Sequence, residues 1–391
     1  MRLYVPVSKK ILQWIQKSIN TDTLSPKISG LLQDWLNDQK QPTYNQILKV
    51  SNATGIPFGY FFLDSPPVED TSLLEYRTID SISNTNVSRN LLAVIHDMQL
   101  IQDWIRNNII DENGDKNKFV AISKTNANND KYVQTIREIF DIPEDWFQNV
   151  QNANQAFNYF RDKISYLGIT IMMNGVVGNN THRKLDVNEF RAFTLIDDYA
   201  PLIFINANDS IKGRLFSLIH ELAHIGLGTN NLFNNYYSNV NDTKHTEQIC
   251  NYVAAEILVP NNIFCKLWTN KLYTESNNPD YEKILSELSA VFKCSTIVCA
   301  RKALDNGFIN RSLYLKLFNI AKSNFNQTRQ TSGGNYYATM SSRIDHRFFN
   351  RLTNSVNEGK TLYSDALRLT NTTMKTFKQI QKYMNEVNGY E

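Results

Sequence analysis

Apolar residues recur at helical spacing through most of the chain and at every second position in one stretch near its middle. Ile11, Leu12, Ile15 and Ile19 give residues 8–19 the period of an amphipathic helix. A second helix follows, with Leu31, Leu32, Trp35 and Leu36 turned inward, and a third opens at Thr43 after Pro42 with Ile47, Leu48 and Val50. Gly55, Pro57 and Pro66-Pro67 break the pattern, so a first helical module closes near residue 68. Residues 86–108 carry Leu92, Ile95, Met98, Ile101 and Ile105 on one side of a long helix. Further helices broken at Pro143 lead to Gly168, after which the period falls to two. "ITIMMNG", "RAFTLID" and "PLIFINA" are short β-type runs. Helices resume from Thr243, and the Gly-Gly and polar cluster at about 327–335 marks a second linker. The expected fold class is α+β and mostly helical. It divides into a helical module (1–68), a helical connector (69–150), a mixed core (151–326) and a C-terminal helical extension (327–391).

The helix after the strands holds "GRLFSLIHELAHIGLG", residues 213–228. His220 and His224 stand one turn apart and project from one face, where they can share a zinc ion. Glu221 lies about 100° round from His220, within reach of a water at the metal without being a ligand. The bland alternative is two surface histidines one turn apart. Leu215, Leu218, Leu222 and Ile225 oppose it, because a solvated helix would not be wrapped in Leu and Ile. Catalytic zinc needs a third protein ligand. The extended pattern His-Glu-x-x-His-x-x-Gly-x-x-His is excluded, since Leu227 and Asn230 stand at its Gly and His positions. A Glu from the next helix, "DTKHTEQICNYVAAEILVP", is the remaining common solution. Glu247 and Glu256 lie about half a turn apart round that helix, so only one can face the metal. Glu247, on the face of Cys250, Asn251 and Ala254, is favoured. Glu256, His245 and His182 are weaker alternatives. Tyr236, Tyr237 and His245 precede or open this helix and are candidates for binding substrate or stabilising an oxyanion. "PLIFINA" is either a strand that pairs with an extended substrate or plain core.

These two segments resemble the ImmA/IrrE family of zinc metallopeptidases. Its signature joins a His-Glu-x-x-His helix to Glu-x-x-Ala-Asn-x-Phe-Ala-Ala-Glu-Leu-Leu-x-Pro, with Cys250 and Val253 standing here for the Ala and the Phe. "FRAFTLIDDYAPLIFINANDS" resembles the strands ahead of the family's zinc helix. "DWLNDQKQPTYNQILKVSNATGIPFGYFFLDSPP" with "LEYRTID", and "GGNYYATMSSRIDHRFFNRLTNSVNEGKTLYSDALRLTN", are similar to the flanking regions of its long members. The resemblance implies a zincin-like core at 151–326 and a degenerate Cro-repressor-like helix-turn-helix in 1–68. It implies Zn2+ held by His220, His224 and Glu247, with Glu221 as general base. It also implies a protein substrate or regulatory partner of the repressor or antitoxin type, in a mobile-element, stress-response or toxin–antitoxin system. The rival readings are a peptidase-like regulator that binds without cutting and a DNA-binding regulator.

Charge and composition narrow these readings. The net charge is +3 in 391 residues, less excess than a protein devoted to gripping nucleic acid usually carries. "SGLLQDWLND", at the recognition-helix position, has two Asp and no Lys or Arg, so DNA binding is not favoured. The basic-aromatic run "RIDHRFFNR" reads as a helix with Phe348 and Phe349 inward. Four cysteines without a CxxC pair do not form a disulfide framework. No signal peptide or apolar run long enough for a membrane span is visible. A cytoplasmic protein without a membrane partner is expected.

Overall fold

Caps and apolar spacing set the first helices. The computed structural model describes residues 3–18, 24–67, 88–123, 128–228, 232–233, 245–274, 279–325 and 336–388. The chain divides into two units, Met1–Leu100 with Gly175–Asp186, and Ile101–Asn174 with Val187–Glu391. In the first, α1 (Lys9–Ser18) buries Ile11, Leu12 and Ile15. α2 (Pro26–Leu36) has Pro in its first turn and buries Leu32 and Trp35. α3 (Tyr44–Thr54) opens on a Thr43–Gln46 capping box and stops at Gly55, whose φ of 73° suits glycine. A 3-10 turn at Phe58–Phe62 seats Phe61 in the same core. A hairpin that the hydrophobic pattern does not announce belongs to this unit as well: β2 (Val176–Val177) pairs with β3 (Asn180–Lys184). Asn180 donates to the carbonyl of Asn52 at 2.9 Å, and Arg183 donates to that of Arg89 at 3.2 Å. α4 (Arg89–Asp111) is the expected long helix. Its buried stripe is Leu91, Val94, Ile95, Met98, Ile101 and Ile105, so Leu91 leads it and Leu92 is only half-buried.

The second unit is mostly helical around a small sheet of order β1-β5-β4-β6, which makes the fold α+β. β1 (Thr170–Asn174) runs parallel to β5 (Leu202–Asn206), β4 (Ala192–Leu195) pairs antiparallel with β5, and β6 (Leu232–Phe233) pairs antiparallel with β4. β4 and β5 are buried at every position, which is why their sequence is so apolar. Of the two readings of the run before the His-Glu-x-x-His helix, core structure is the one found. "PLIFINA" forms β5, an interior strand with β1 on one side and β4 on the other, so it has no free edge for a substrate.

Against this sheet lies α7 (Ile211–Leu227). Ser210 caps its start by accepting from the Gly213 N–H at 3.0 Å, and Gly228 ends it at φ 69°. Every residue from Leu215 to Leu227 is buried. α5 (Asn129–Ile139) supplies Tyr132, whose hydroxyl donates to the Ala223 carbonyl of α7 at 2.7 Å. α6 (Ala153–Tyr166) and α8 (His245–Leu258) flank α7, and α9 (Asn261–Thr274), α10 (Tyr281–Val291) and α11 (Thr296–Asp305) extend the same core. α12 (Arg311–Phe325) follows, then α13 (Tyr336–Arg343), α14 (His346–Asn357), α15 (Tyr363–Leu369) and α16 (Met374–Asn388). Phe348 and Phe349 are buried as expected, while Arg347 and Arg351 donate to the Tyr166 carbonyl and to Glu112. Among the described residues, no helix is long and apolar enough to cross a membrane.

Candidate metal centre

A buried helix that carries two histidines and a glutamate must satisfy them. Leu215, Leu218, Leu222 and Ile225 hold α7 in the core, which leaves His220, Glu221 and His224 fully inaccessible to water. α8 packs beside it. The small Cys250 and Ala254, both buried, allow the two helices to approach. From the first turn of α8, Glu247 reaches across. One of its carboxylate oxygens lies 3.3 Å from His220 Nε2 and the other 3.2 Å from His224 Nε2, while the two Nε2 atoms are 3.1 Å apart. Among the described residues this is the group of His, Cys, Asp and Glu side chains that could hold a metal ion.

The donor set fits zinc. Zinc–nitrogen and zinc–oxygen bonds of about 2.0–2.2 Å in a tetrahedron place neighbouring donors about 3.3–3.5 Å apart. The three observed separations fall at or just below that edge length, before any ion draws the donors into place. The electrostatics agree. Burial tends to raise the Glu247 carboxyl, but the hydrogen bonds from both imidazoles hold it well below the usual carboxylate range. Burial lowers His220, with Glu247 opposing. Burial also disfavours protonated His224, yet Cys250 and Glu247 outweigh it and raise that ring. Three bases that share protonic charge in a dry pocket form a site from which a divalent cation displaces protons.

Glu221 is set apart from this cluster. Its Oε2 accepts a hydrogen bond from the Thr194 hydroxyl on β4, and its Oε1 is buried without a hydrogen-bond partner. Burial pushes its carboxyl up to about 7, with His224 and Thr194 pulling the other way. A carboxyl near neutrality beside a metal site can accept and return a proton.

Glu256 faces elsewhere. It is ion-paired with Lys302 and accepts from the Asn261 N–H at 2.8 Å, at the start of α9. His245 opens α8 and is exposed, and His182 is an exposed residue of β3 in the first unit. Tyr236, Tyr237 and Asn230 lie outside the described residues. Sequence reasoning missed Thr194, Tyr132 and the ring partners of the histidines. Asn251 lies beside His220 and Cys250 beside His224, near enough to affect the charge on each ring. Their shared helical face with Glu247 was a signal for the last two, but a hydroxyl on a strand 27 residues ahead leaves none.

The family model of the IrrE N-terminal-like domain, peptidase M78, matches residues 164–304. The chain therefore carries an IrrE N-terminal-like domain. No curated protein and no solved structure matches it. The IrrE N-terminal-like domain begins in α6, contains the whole sheet of the second unit, and ends in α11. His220, Glu221, His224 and Glu247 all fall inside it. A second model, a domain of unknown function named DUF8813, matches residues 344–382 and covers α14 and α15 with part of α16.

Proposed function

We propose that the IrrE N-terminal-like domain is a zinc metalloendopeptidase that cuts a regulatory protein of the repressor or antitoxin type in the cytoplasm. The convergence of His220, His224 and Glu247 within 3.3 Å, with Glu221 beside them, is the observation that carries this reading. The two Nε2 atoms and the Glu247 carboxylate would hold the ion. Zinc in such a site acidifies water and polarises a carbonyl. Glu221 takes the proton from the attacking water on its unpartnered Oε1 and returns it to the leaving amine. The Thr194 hydroxyl keeps Oε2 occupied, so the carboxylate cannot turn away. Burial of all three α7 side chains keeps bulk water from competing.

Elemental analysis of the purified protein together with cleavage in cells tests the reading. Wild type is expected to hold one zinc per chain, His220→Ala none, and Glu221→Gln one. Glu221→Gln is expected to slow cleavage of the partner by at least about 100-fold. A chain without zinc would overturn the metal assignment. Full biological effect in the Glu221→Gln variant would overturn proteolysis and favour a regulator that binds without cutting.

A further inference from the structure

Three of the four cysteines take no part in the centre described above, and two of these three lie in contact with each other. Cys294 follows α10, and Cys299 sits in α11. Both are buried, and their Sγ atoms are 3.5 Å apart. A disulfide needs about 2.05 Å, so closing the bond calls for the two sulfurs to approach by about 1.5 Å. We infer that Cys294 and Cys299 form a dithiol that a small peroxide oxidises to an intradomain disulfide.

The surrounding turn is built to present the pair. Lys293 adopts φ 57°, a left-handed conformation that costs a non-glycine residue energy and reverses the chain directly before Cys294. Ser295 caps α11 by accepting from the Val298 N–H, which sets Cys299 one turn along and facing back. The Ser289 hydroxyl donates to the Cys294 carbonyl at 2.8 Å and accepts from Lys212 Nζ at 2.8 Å. Lys212 lies in the first turn of α7, so one short chain of hydrogen bonds joins the dithiol turn to the helix that carries His220 and His224. The other two thiols stand elsewhere: Cys250 is buried beside His224, and Cys265 is half-buried in α9.

The chemistry balances with hydrogen peroxide as oxidant. One thiolate attacks the O–O bond, giving a sulfenic acid and, after proton uptake, one water. The second thiol attacks the sulfenic sulfur, forming the S–S bond and releasing a second water. The two sulfurs lose two electrons in total and the peroxide gains them. The hydrogen bond with Cys294, and then burial, raise the Cys299 thiol above its ordinary value, so the first step is slow. The second step is fast because its partner is already in contact.

The test uses the full chain, folded and metal-loaded as isolated, with hydrogen peroxide as the probe. After exposure, free thiols are counted in denaturant and the peptides are mapped by mass. The expected result is a fall from four thiols to two, with a single link between Cys294 and Cys299 that a reducing agent removes. Cys294→Ser and Cys299→Ser should each abolish the link, while Cys265→Ser should leave it intact. Because the wild-type map alone decides the matter, a poorly folding variant does not obscure it. Persistence of both thiols until the protein unfolds, oxidation of either to sulfinic acid without a link, or cross-linking through Cys265 would each overturn the inference. None of these readouts depends on zinc content or on peptide cleavage.

Discussion

The two carboxylate oxygens of Glu221 have different surroundings, and that difference makes a prediction. Thr194 binds one and nothing binds the other. Thr194→Val removes the donor while keeping the shape of a buried strand residue. The variant should hold zinc as wild type does and lose about 10-fold in kcat with KM little changed, since about one hydrogen bond to a charged group is lost. Thr194→Ser should restore most of the rate. An equal loss in the serine variant would show that the methyl group matters and the hydroxyl does not. A second carboxylate makes a prediction about pH. Burial tends to raise Asp197, but Arg106 at 2.9 Å and the N–H groups of Tyr199 and Ala200 outweigh it, so its pKa lies below the ordinary value. A carboxyl whose folded pKa is depressed contributes stability above its unfolded pKa and loses it as pH falls through the folded one. Asp197→Asn should therefore cost about 1–2 kcal/mol at pH 7, a figure reduced because Arg106 is about a third exposed. The gap between variant and wild type should start to close as pH falls past the ordinary carboxylate value of about 3.9, and should close fully only below the depressed folded value, where the carboxyl is protonated in both states. Urea titrations at pH 7 and at pH 3 measure it, and a gap that widens in acid would contradict the assignment.

At the scale of elements, α7 is fixed from one side by the sheet and from another by α5. Gly226 marks how close α5 comes. A Cβ there would lie 2.2 Å from the Tyr132 hydroxyl and 2.8 Å from the Phe119 ring. Gly226→Ala should destabilise the domain by about 1–3 kcal/mol despite the higher helix propensity of alanine. Tyr132→Phe should cost about 1 kcal/mol through the loss of the hydroxyl's bond to the Ala223 carbonyl. Thermal melts of both variants test this, and a more stable Gly226→Ala protein would show that the contact yields. The same elements explain what a reader of the sequence can and cannot see. α7 and α8 were legible because their apolar stripes are regular and the spacing of His220, His224 and Glu247 on helices is itself geometry. β1, β4 and β5 were legible as strands because buried strands are apolar throughout. Their order was not, since neighbours in a sheet are set by contacts far apart in sequence, and β5 proved interior. The β2–β3 hairpin was invisible because Asn180 to Lys184 are polar and largely exposed, with no alternation to detect. Thr194, Tyr132 and the Cys294–Cys299 contact share that cause: each is defined by a partner that the local pattern does not encode.

In the second unit, taken whole, the sheet has two outer strands, β1 and β6, and outer strands expose unpaired backbone groups. The β1 edge is closed by side chains. Asp345 accepts the Ile171 N–H at 3.2 Å, and Arg161 donates to the Ile171 carbonyl at 3.3 Å. Both residues are buried and carry further bonds. Asp345 accepts from the Ser165 hydroxyl and caps α14 through the Arg347 and Phe348 N–H groups. Arg161 donates to the Ser342 and Ile344 carbonyls, the last of which opens the stretch matched as DUF8813. One buried pair thus joins the C-terminal helices to the first strand of the IrrE N-terminal-like domain and blocks the edge on the far side of β5 from β4. Removing the acid strips the cap, leaves a buried guanidinium without its counter-charge and frees a strand N–H, losses that together amount to about 3 kcal/mol. Asp345→Ala should accordingly lower the unfolding free energy measured in urea by that amount and make trypsin cut first near Arg343 and Arg347. A strand edge freed in this way should also promote self-association, visible in light scattering as protein concentration rises. Unchanged stability together with an unchanged proteolytic pattern would mean that the C-terminal helices are held by their apolar contacts, led by Phe348 and Phe349, and that the buried pair only sets their register.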